Sequence, residues 1–432
     1  MDICMNKEKK PVIAVIGGGP AGLMAAGVAG ESGASVLLFE TNAKCGRKLL
    51  LTGSGKCNIT NTAPMKEFLE HFPENRKFLY PSFKHFFTED LERFFNQYGL
   101  FFQREDNNNG KIFPQDHRAA TVLEVLLTYC QDNQVDFHLS EPVRQIKKGE
   151  AWEIVTDKGV YPVTSAIIAT GGLSYPGTGS AGSGYLMAES LGISIKPTRP
   201  ALVPLVCADK WCRELTGISL EGVKTSLWES AGGGSFRKII SMSEDILFTH
   251  FGVSGPAALS ISRWIKSSPK SCDKDLQCDY RLTIDLCPER SAEDVEKLLL
   301  EVFSQSPNKL LRSVISRNFG LPNAVSSVLV RLCTPIEDIY CRDTTREIRR
   351  KMISMLKSLP LTVLETKGYN EAMVTAGGVS TRELDPRTMG SRRNPGIYFA
   401  GEVIDIDGFT GGFNLQAAFS TGYLAGRSAA GL

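Results

Sequence analysis

The chain has 432 residues, 42% of them hydrophobic, which is more than one core usually organises and predicts two or three domains. Its 49 basic and 47 acidic side chains leave a net charge of +2, which gives no electrostatic case for nucleic acid or an anionic membrane as partner. No apolar run reaches the ~20 residues needed to span a bilayer, the eleven cysteines include no C-x-x-C, and the five histidines are not spaced as metal ligands, so a reduced, cytoplasmic protein without a metal site is expected.

Val12 to Ile16 are apolar without polar alternation, the pattern of a parallel strand buried on both faces. The strand runs into Gly17, Gly19 and Gly22 in G-x-G-x-x-G spacing, followed by a small-residue helix predicted over Ala21 to Ala29. The first glycine allows the tight turn, the second lets backbone approach a pyrophosphate, and the third removes a side chain between helix and strand. A phosphate there, beside Pro20 and Ala21, meets the unpaired N–H groups and positive end of the helix. A second strand, Val36 to Phe39, ends in Glu40, eighteen residues after Gly22, where a carboxylate can accept hydrogen bonds from both hydroxyls of an adenosine ribose. The frame of strand, helix, strand and acid makes this a dinucleotide site. FAD or NAD fits it, whereas the 2′-phosphate of NADP would meet a like charge at Glu40.

Thr41 to Asn61 has neither helical nor strand periodicity and is rich in Gly, Lys, Arg, Asn and Thr. It reads either as a loop wrapping an anion, with Arg47, Lys48 and Lys56 neutralising phosphates and Gly53 and Gly55 admitting a planar ring, or as a solvated basic loop. Glu89 to Tyr98 carries Leu91, Phe94, Phe95 and Tyr98 at helical spacing before Gly99; a second helix is expected over Ala119 to Tyr129 and a strand over Val135 to Leu139. Short strands between Glu141 and Gly172, with a turn at Asp157-Lys158-Gly159, lead to an apolar strand Ala166 to Ala169 and then Thr170-Gly171-Gly172. A meander returning to the sheet at such a sequence is usual in two-dinucleotide FAD folds, with Val143 offering backbone to the adenine.

Gly177, Gly179 and Gly182 repeat the glycine spacing, but no acid closes a second frame, so a loop and a helix Tyr185 to Leu191 are preferred over a nicotinamide site. Pro197, Pro200 and Pro204 mark a boundary. An insert with a small β part follows, including strands at Thr225 to Trp228 and Tyr280 to Ile284, and then helices at Leu298 to Phe303, Lys309 to Ile315 and Ile348 to Leu356. Cys207 and Cys212 stand in C-x4-C spacing, read as buried thiols rather than a redox pair. Asp245 to Pro256, DILFTHFGVSGP, reads as a loop and helix start with an isolated His250, either structural or a contact to substrate. The nucleotide fold resumes near Glu371, with strands at Met373 to Gly378 and Ile397 to Ala400, then Gly401-Glu402, the glycine turn Gly411-Gly412, and a helix from Leu415 to Gly426. Glu402 or Asp405 can bind ribityl hydroxyls, and that helix start can face the flavin N1 and C2 carbonyl. The expected domains are 1–195 and 368–432 for the cofactor, interrupted by 196–367.

Together IGGGPAG, GRKLLLTGSGKCNITN, ATGGLSYPGTGSAGSGY, DILFTHFGVSGP and FAGEVIDIDGFTGGFNLQAAFSTG resemble the flavoprotein family of BaiN-type reductases, described as NAD(P)/FAD-dependent oxidoreductases or aminoacetone oxidases. The resemblance spans nearly the whole chain and implies a Rossmann-like two-dinucleotide α/β fold with an inserted small β-barrel-like and helical domain. Carried over by motif, it implies a pyrophosphate site at Gly17 to Gly22, a ribose site at Glu40, flavin-edge contacts around Arg47, Lys48, Gly55, Cys57, Asn58 and Asn61, and further contacts from Glu402, Asp405, Gly412 and Asn414. Lys56 stands where Arg is expected, and Phe413 where Tyr is usual. The reading is an FAD-dependent oxidoreductase that passes hydride through flavin N5 to or from a small organic substrate between the cofactor domain and the insert, with enone C=C reduction implied by the resemblance. NADH or NADPH is the candidate transient reductant. A flavin amine oxidase and a flavin-containing RNA-modifying or RNA-binding protein are the alternatives. No proton donor is identified; Tyr175 and His250 are the candidates.

Overall fold

The structure is a computed structural model that describes residues 10–105, 109–265 and 280–432. The chain forms two units, one of residues up to Arg199 with Met373–Leu432, the other Pro200–Ala372. In the first, five segments form one sheet: β1 (Val12–Ile16), β2 (Ser35–Glu40), β3 (Asp136–Leu139), β4 (Ser165–Ile168) and β5 (Ile397–Phe399), in the order β5-β4-β1-β2-β3. All four pairings are parallel, so the C-terminal strand ends share one edge. The unbroken apolar runs are explained by burial on both faces, with Ile13, Ala14 and Val15 wholly inaccessible.

Helix α1 (Pro20–Glu31) follows β1, and α2 (Phe413–Ala429) closes the chain. Small residues let these helices touch backbone to backbone. A Cβ added at Gly422 would lie 2.3 Å from the carbonyl oxygen of Ala21, and one at Gly426 2.5 Å from that of Ala25. A polar network fixes the register of α2 inside the core: Thr60 Oγ1 donates to Gln416 Oε1 (2.6 Å), and Gln416 Nε2 donates to Ser420 Oγ (3.0 Å), which donates to the Phe86 carbonyl (2.6 Å). Val143–Lys148, Trp152–Thr156 and Val160–Val163 form the antiparallel meander between β3 and β4.

The second unit has its own core beneath an eight-stranded antiparallel sheet. Its strands include Lys224–Gly232, Ser235–Ser243 and Tyr280–Asp285; its helices include Ala292–Gln305, Leu311–Phe319, Asn323–Cys333 and Arg346–Lys357. The three helices expected here are each present but longer or shifted, and Asn323–Cys333 was not anticipated. DILFTHFGVSGP is not a loop: Ile246–Thr249 and Gly252–Ser254 pair as a hairpin, and a helix Gly255–Ser262 follows. Gly252 lets the hairpin pair with the neighbouring strand Leu205–Cys207, because a Cβ there would sit 2.3 Å from the Leu205 carbonyl oxygen. Among the described residues no helix is long and apolar enough to cross a membrane, and no cluster of His, Cys, Asp or Glu could hold a metal ion.

Candidate cofactor site

Three corners of the first unit gather the residues singled out in the sequence. The first is the turn from β1 into α1. Gly17 has φ +108° and a Cβ there would lie 2.5 Å from the Ala169 carbonyl oxygen, while one at Gly22 would overlap the Gly17 carbonyl at 1.9 Å. At Gly19 an added Cβ would meet nothing within 4 Å, so backbone there is bare. No side chain caps α1; Pro20 at its first position has no N–H to leave unpaired, so its open amides are those of Ala21 and Gly22. Glu40, at the end of β2, is already oriented. Its Oε2 accepts the Gly18 amide (2.8 Å), and its Oε1 accepts the Asn42 amide (2.8 Å) and Nδ2 (2.7 Å). A carboxylate has about four acceptor positions, so the geometry leaves room for one ribose hydroxyl rather than the two expected. Arg47 is exposed and holds Asn42 through Oδ1 (2.6 Å); Asn42 Nδ2 also reaches the Thr178 carbonyl (3.0 Å), which ties the second glycine run to this corner.

Beside Glu40 lies a buried carboxylate absent from the expected set. The Glu141 amide donates to the Glu40 carbonyl (3.0 Å), and the Glu141 side chain is 3% exposed. Burial pushes its carboxyl up, but hydrogen bonds from Thr156 Oγ1 (2.7 Å) and Tyr161 OH (2.8 Å), with Lys158 and His138, outweigh it and hold the group down at about 2.

The second corner lies past the ends of β4 and β5. Glu402 Oε2 accepts from Lys48 Nζ (2.6 Å), and Oε1 from Ser174 Oγ (2.6 Å) and the Thr375 amide (2.9 Å). Lys48 also donates to Ser174 Oγ, and Thr375 Oγ1 accepts the amides of Leu173 (2.8 Å) and Ser174 (3.1 Å). Gly401, next to Glu402, lies on the start of α1: its added Cβ would be 2.8 Å from Ala21 Cβ. Thr170 and Gly171 belong to the same turn after β4, with Gly171 at φ +71°. Ser174 and Thr375 were missed by spacing alone, though a single hydroxyl in the otherwise apolar and glycine strand Val374–Val379 was a visible signal.

The third corner is the start of α2. Gly412 has φ +92° and packs on Thr60, whose carbonyl oxygen would be 2.3 Å from a Cβ there; Gly411 precedes it and half-buried Leu415 follows. Two asparagines expected at the cofactor spend their side chains holding this turn. Asn61 Nδ2 donates to the Gly411 (3.1 Å) and Asn109 (2.9 Å) carbonyls, and Asn414 is bonded to Gly408 and Phe409. The Phe413 ring stacks on His71 (3.9 Å) and meets Phe68 edge-on (4.7 Å).

Other expected residues lie apart from these corners or are engaged elsewhere. Asp405 is buried, and its Oδ2 accepts from Asn75 Nδ2 (2.9 Å). Cys57 is wholly buried, which pushes its thiol up to about 12 and keeps it protonated. Asn58 Oδ1 accepts the Ile112 amide (3.3 Å), Gly55 is open with φ +89°, and Val143 is buried at the start of the meander. Tyr175 is half-buried in the first unit, while His250 is exposed at the hairpin turn of the second. Cys207 and Cys212 are buried free thiols, the latter's pKa raised by its hydrogen bond with Cys207 and by burial.

The residues present fit a flavin dinucleotide: bare backbone at Gly19, an oriented acceptor at Glu40, and a lysine and carboxylate side by side near the same helix start. Comparison with known proteins agrees. The chain is 33% identical to the ribosomal RNA dihydrouridine synthase of Escherichia coli over 95% of each chain. It is 32% identical to the 3-dehydro-bile acid delta(4,6)-reductase of Clostridium scindens, over 97% of this chain and 98% of that one. A solved 3-ketosteroid delta1-dehydrogenase from Sterolibacterium denitrificans shares the fold at a TM-score of 0.52 and 12% identity, covering 98% of this chain and all of that one. The HI0933-like protein Rossmann domain matches residues 11–428, and the chain belongs to that family.

Proposed function

We propose that this chain, an FAD-dependent oxidoreductase, reduces a carbon–carbon double bond conjugated to a carbonyl. The observation that carries this reading is the near-full-length similarity, at 33% and 32%, to two reductases whose named substrates differ in size and kind. Making dihydrouridine saturates the uracil C5=C6 bond, conjugated to the C4 carbonyl; a delta(4,6)-reductase acts on double bonds conjugated to a 3-oxo group. Hydride adds to the far carbon of such a bond and a proton to the near one. FAD, when bound, supplies the hydride chemistry, and the protein supplies binding and orientation. In this chain the glycine turn before α1 takes a pyrophosphate, Glu40 one ribose hydroxyl, and Lys48 a negative charge. Glu402, Gly411, Gly412 and the start of α2 serve the flavin side, with Asn61 and Asn414 holding that turn in shape.

The relatives keep both substrate kinds open, a uridine in RNA and a free enone. The expectation that nucleic acid is no partner rested on the near-zero net charge, and it loses force beside the ribosomal RNA enzyme. The test is to mix the oxidised protein with NADH and NADPH separately under anaerobic conditions, then offer the reduced form an enone or ribosomal RNA. Reoxidation by the enone, or dihydrouridine found in the digested RNA, supports the reading. Turnover of amines with oxygen, with neither of those outcomes, overturns it in favour of an oxidase.

A further inference from the structure

Lys48, Ser174, Thr375 and Glu402 come from four segments, two in each part of the discontinuous first unit, and meet as one hydrogen-bonded node. An isolated lysine–glutamate pair with side chains 22% and 20% exposed contributes little to stability. This one is held from behind. Thr375 Oγ1 fixes two successive amides of the turn after β4, and the Ser174 hydroxyl and Thr375 amide then fix one carboxylate oxygen. Three donors use three of the roughly four acceptor positions of the carboxylate, and two acceptors use two of the three ammonium protons. One acceptor and one donor are left over, side by side and partly open to solvent. They lie at the strand ends where open α/β sheets bind ligands, next to the first residues of α1. The turn carrying Ser174 is packed tightly here: a Cβ at Gly172 would be 2.4 Å from Thr375 Oγ1 and 2.9 Å from Glu402 Oε1.

We infer that this node is a cofactor clasp. Ser174 and Thr375 are positioning residues that, with Lys48, aim the Glu402 carboxylate at a hydroxyl of the bound dinucleotide, while Lys48 presents its remaining proton to the neighbouring phosphate. Retention of FAD then depends on the two parts of the unit being tied at this point. The inference rests on the reading that the first unit holds FAD.

The experiment is FAD release from the full-length holoprotein, followed by flavin fluorescence after dilution, with melting of each FAD-free protein measured in parallel. Lys48→Met, Ser174→Ala and Thr375→Val are expected to release FAD at least about tenfold faster, the loss of roughly one good hydrogen bond. Thr375→Ser, which keeps the hydroxyl, releases it at the wild-type rate. Lys48→Met with Ser174→Ala is accelerated less than the product of the singles, because both act through one carboxylate. Variants that melt lower without FAD but release it at the wild-type rate make the node a plain structural tie and overturn the inference, leaving the cofactor reading intact. A wild-type protein that takes up no FAD overturns both.

Discussion

Glycines at the cofactor corners divide into those forced by neighbouring protein atoms and one that is not. Gly17, Gly22 and Gly412 have no room for a Cβ, whereas Gly19 has extended backbone (φ −82°, ψ −179°) and empty space around it. Gly19→Ala meets no clash and is therefore expected to fold, at a cost of about 0.5–1 kcal/mol for a poorer N-cap, yet to bind FAD at least about tenfold more weakly. Fluorescence titration beside melting of the FAD-free protein measures both; unchanged affinity would mean that no ligand approaches this backbone. The positions of Gly17 and Gly22 in the turn and of Glu40 at its strand end were legible because a turn, a helix start and a strand end lie within one short stretch. Ser174 and Thr375 were not, since their partner is 228 and 27 residues away and only folding brings them to it. Asn61 and Asn414 were expected at the cofactor, but their amide groups bond backbone, a use that composition does not distinguish from a contact to ligand.

Among elements, the contact of α1 with α2 has the least tolerance. A valine at Gly422 would put its Cβ 2.3 Å from the Ala21 carbonyl oxygen at the start of α1. Gly422→Val is expected to cost about 1–3 kcal/mol as overpacking and to weaken FAD binding with it, seen as a lower denaturation midpoint and a higher dissociation constant. A normal midpoint would mean that the helices can separate without harm. The buried strands β1, β2 and β4 could be read within a residue or two because apolar runs bounded by glycine have one good explanation. Arg76–His85 escaped notice because Pro81 stands inside it and argues against a helix, and the DILFTHFGVSGP hairpin because its strands are only four and three residues long. Helix ends moved outward where capping completed a turn, as at Ser291, whose hydroxyl accepts the Asp294 amide.

At the level of the molecule, acid stability should depend on Glu141. Its folded pKa of about 2 lies below the ordinary 4.5, so the unfolded chain takes up the proton first. The stabilisation is complete above about 4.5 and is lost as pH falls towards about 2. Glu141→Gln should lower the melting temperature at neutral pH, and the gap from wild type should close as the buffer approaches the lower value. A gap that stays constant across that range would assign the loss to packing instead. A shift in composition was visible at Pro197 to Pro204 and again after Glu371, and the two units divide after Arg199 and after Ala372. The substrate was not, because it is chosen by shapes and charges that no single stretch displays.

The central sheet also fixes an order of events during synthesis. β5 and α2 are translated after the second unit, which has its own hydrophobic core, is complete by Ala372 and can condense as soon as it emerges. Until then β4 has an open edge and α1 an uncovered face, with Glu40 in place but Glu402 not yet made. A stop between Ala372 and Ile397 would thus yield a chain with a folded insert and an unfinished, sticky first unit, fit for degradation rather than for flavin loading.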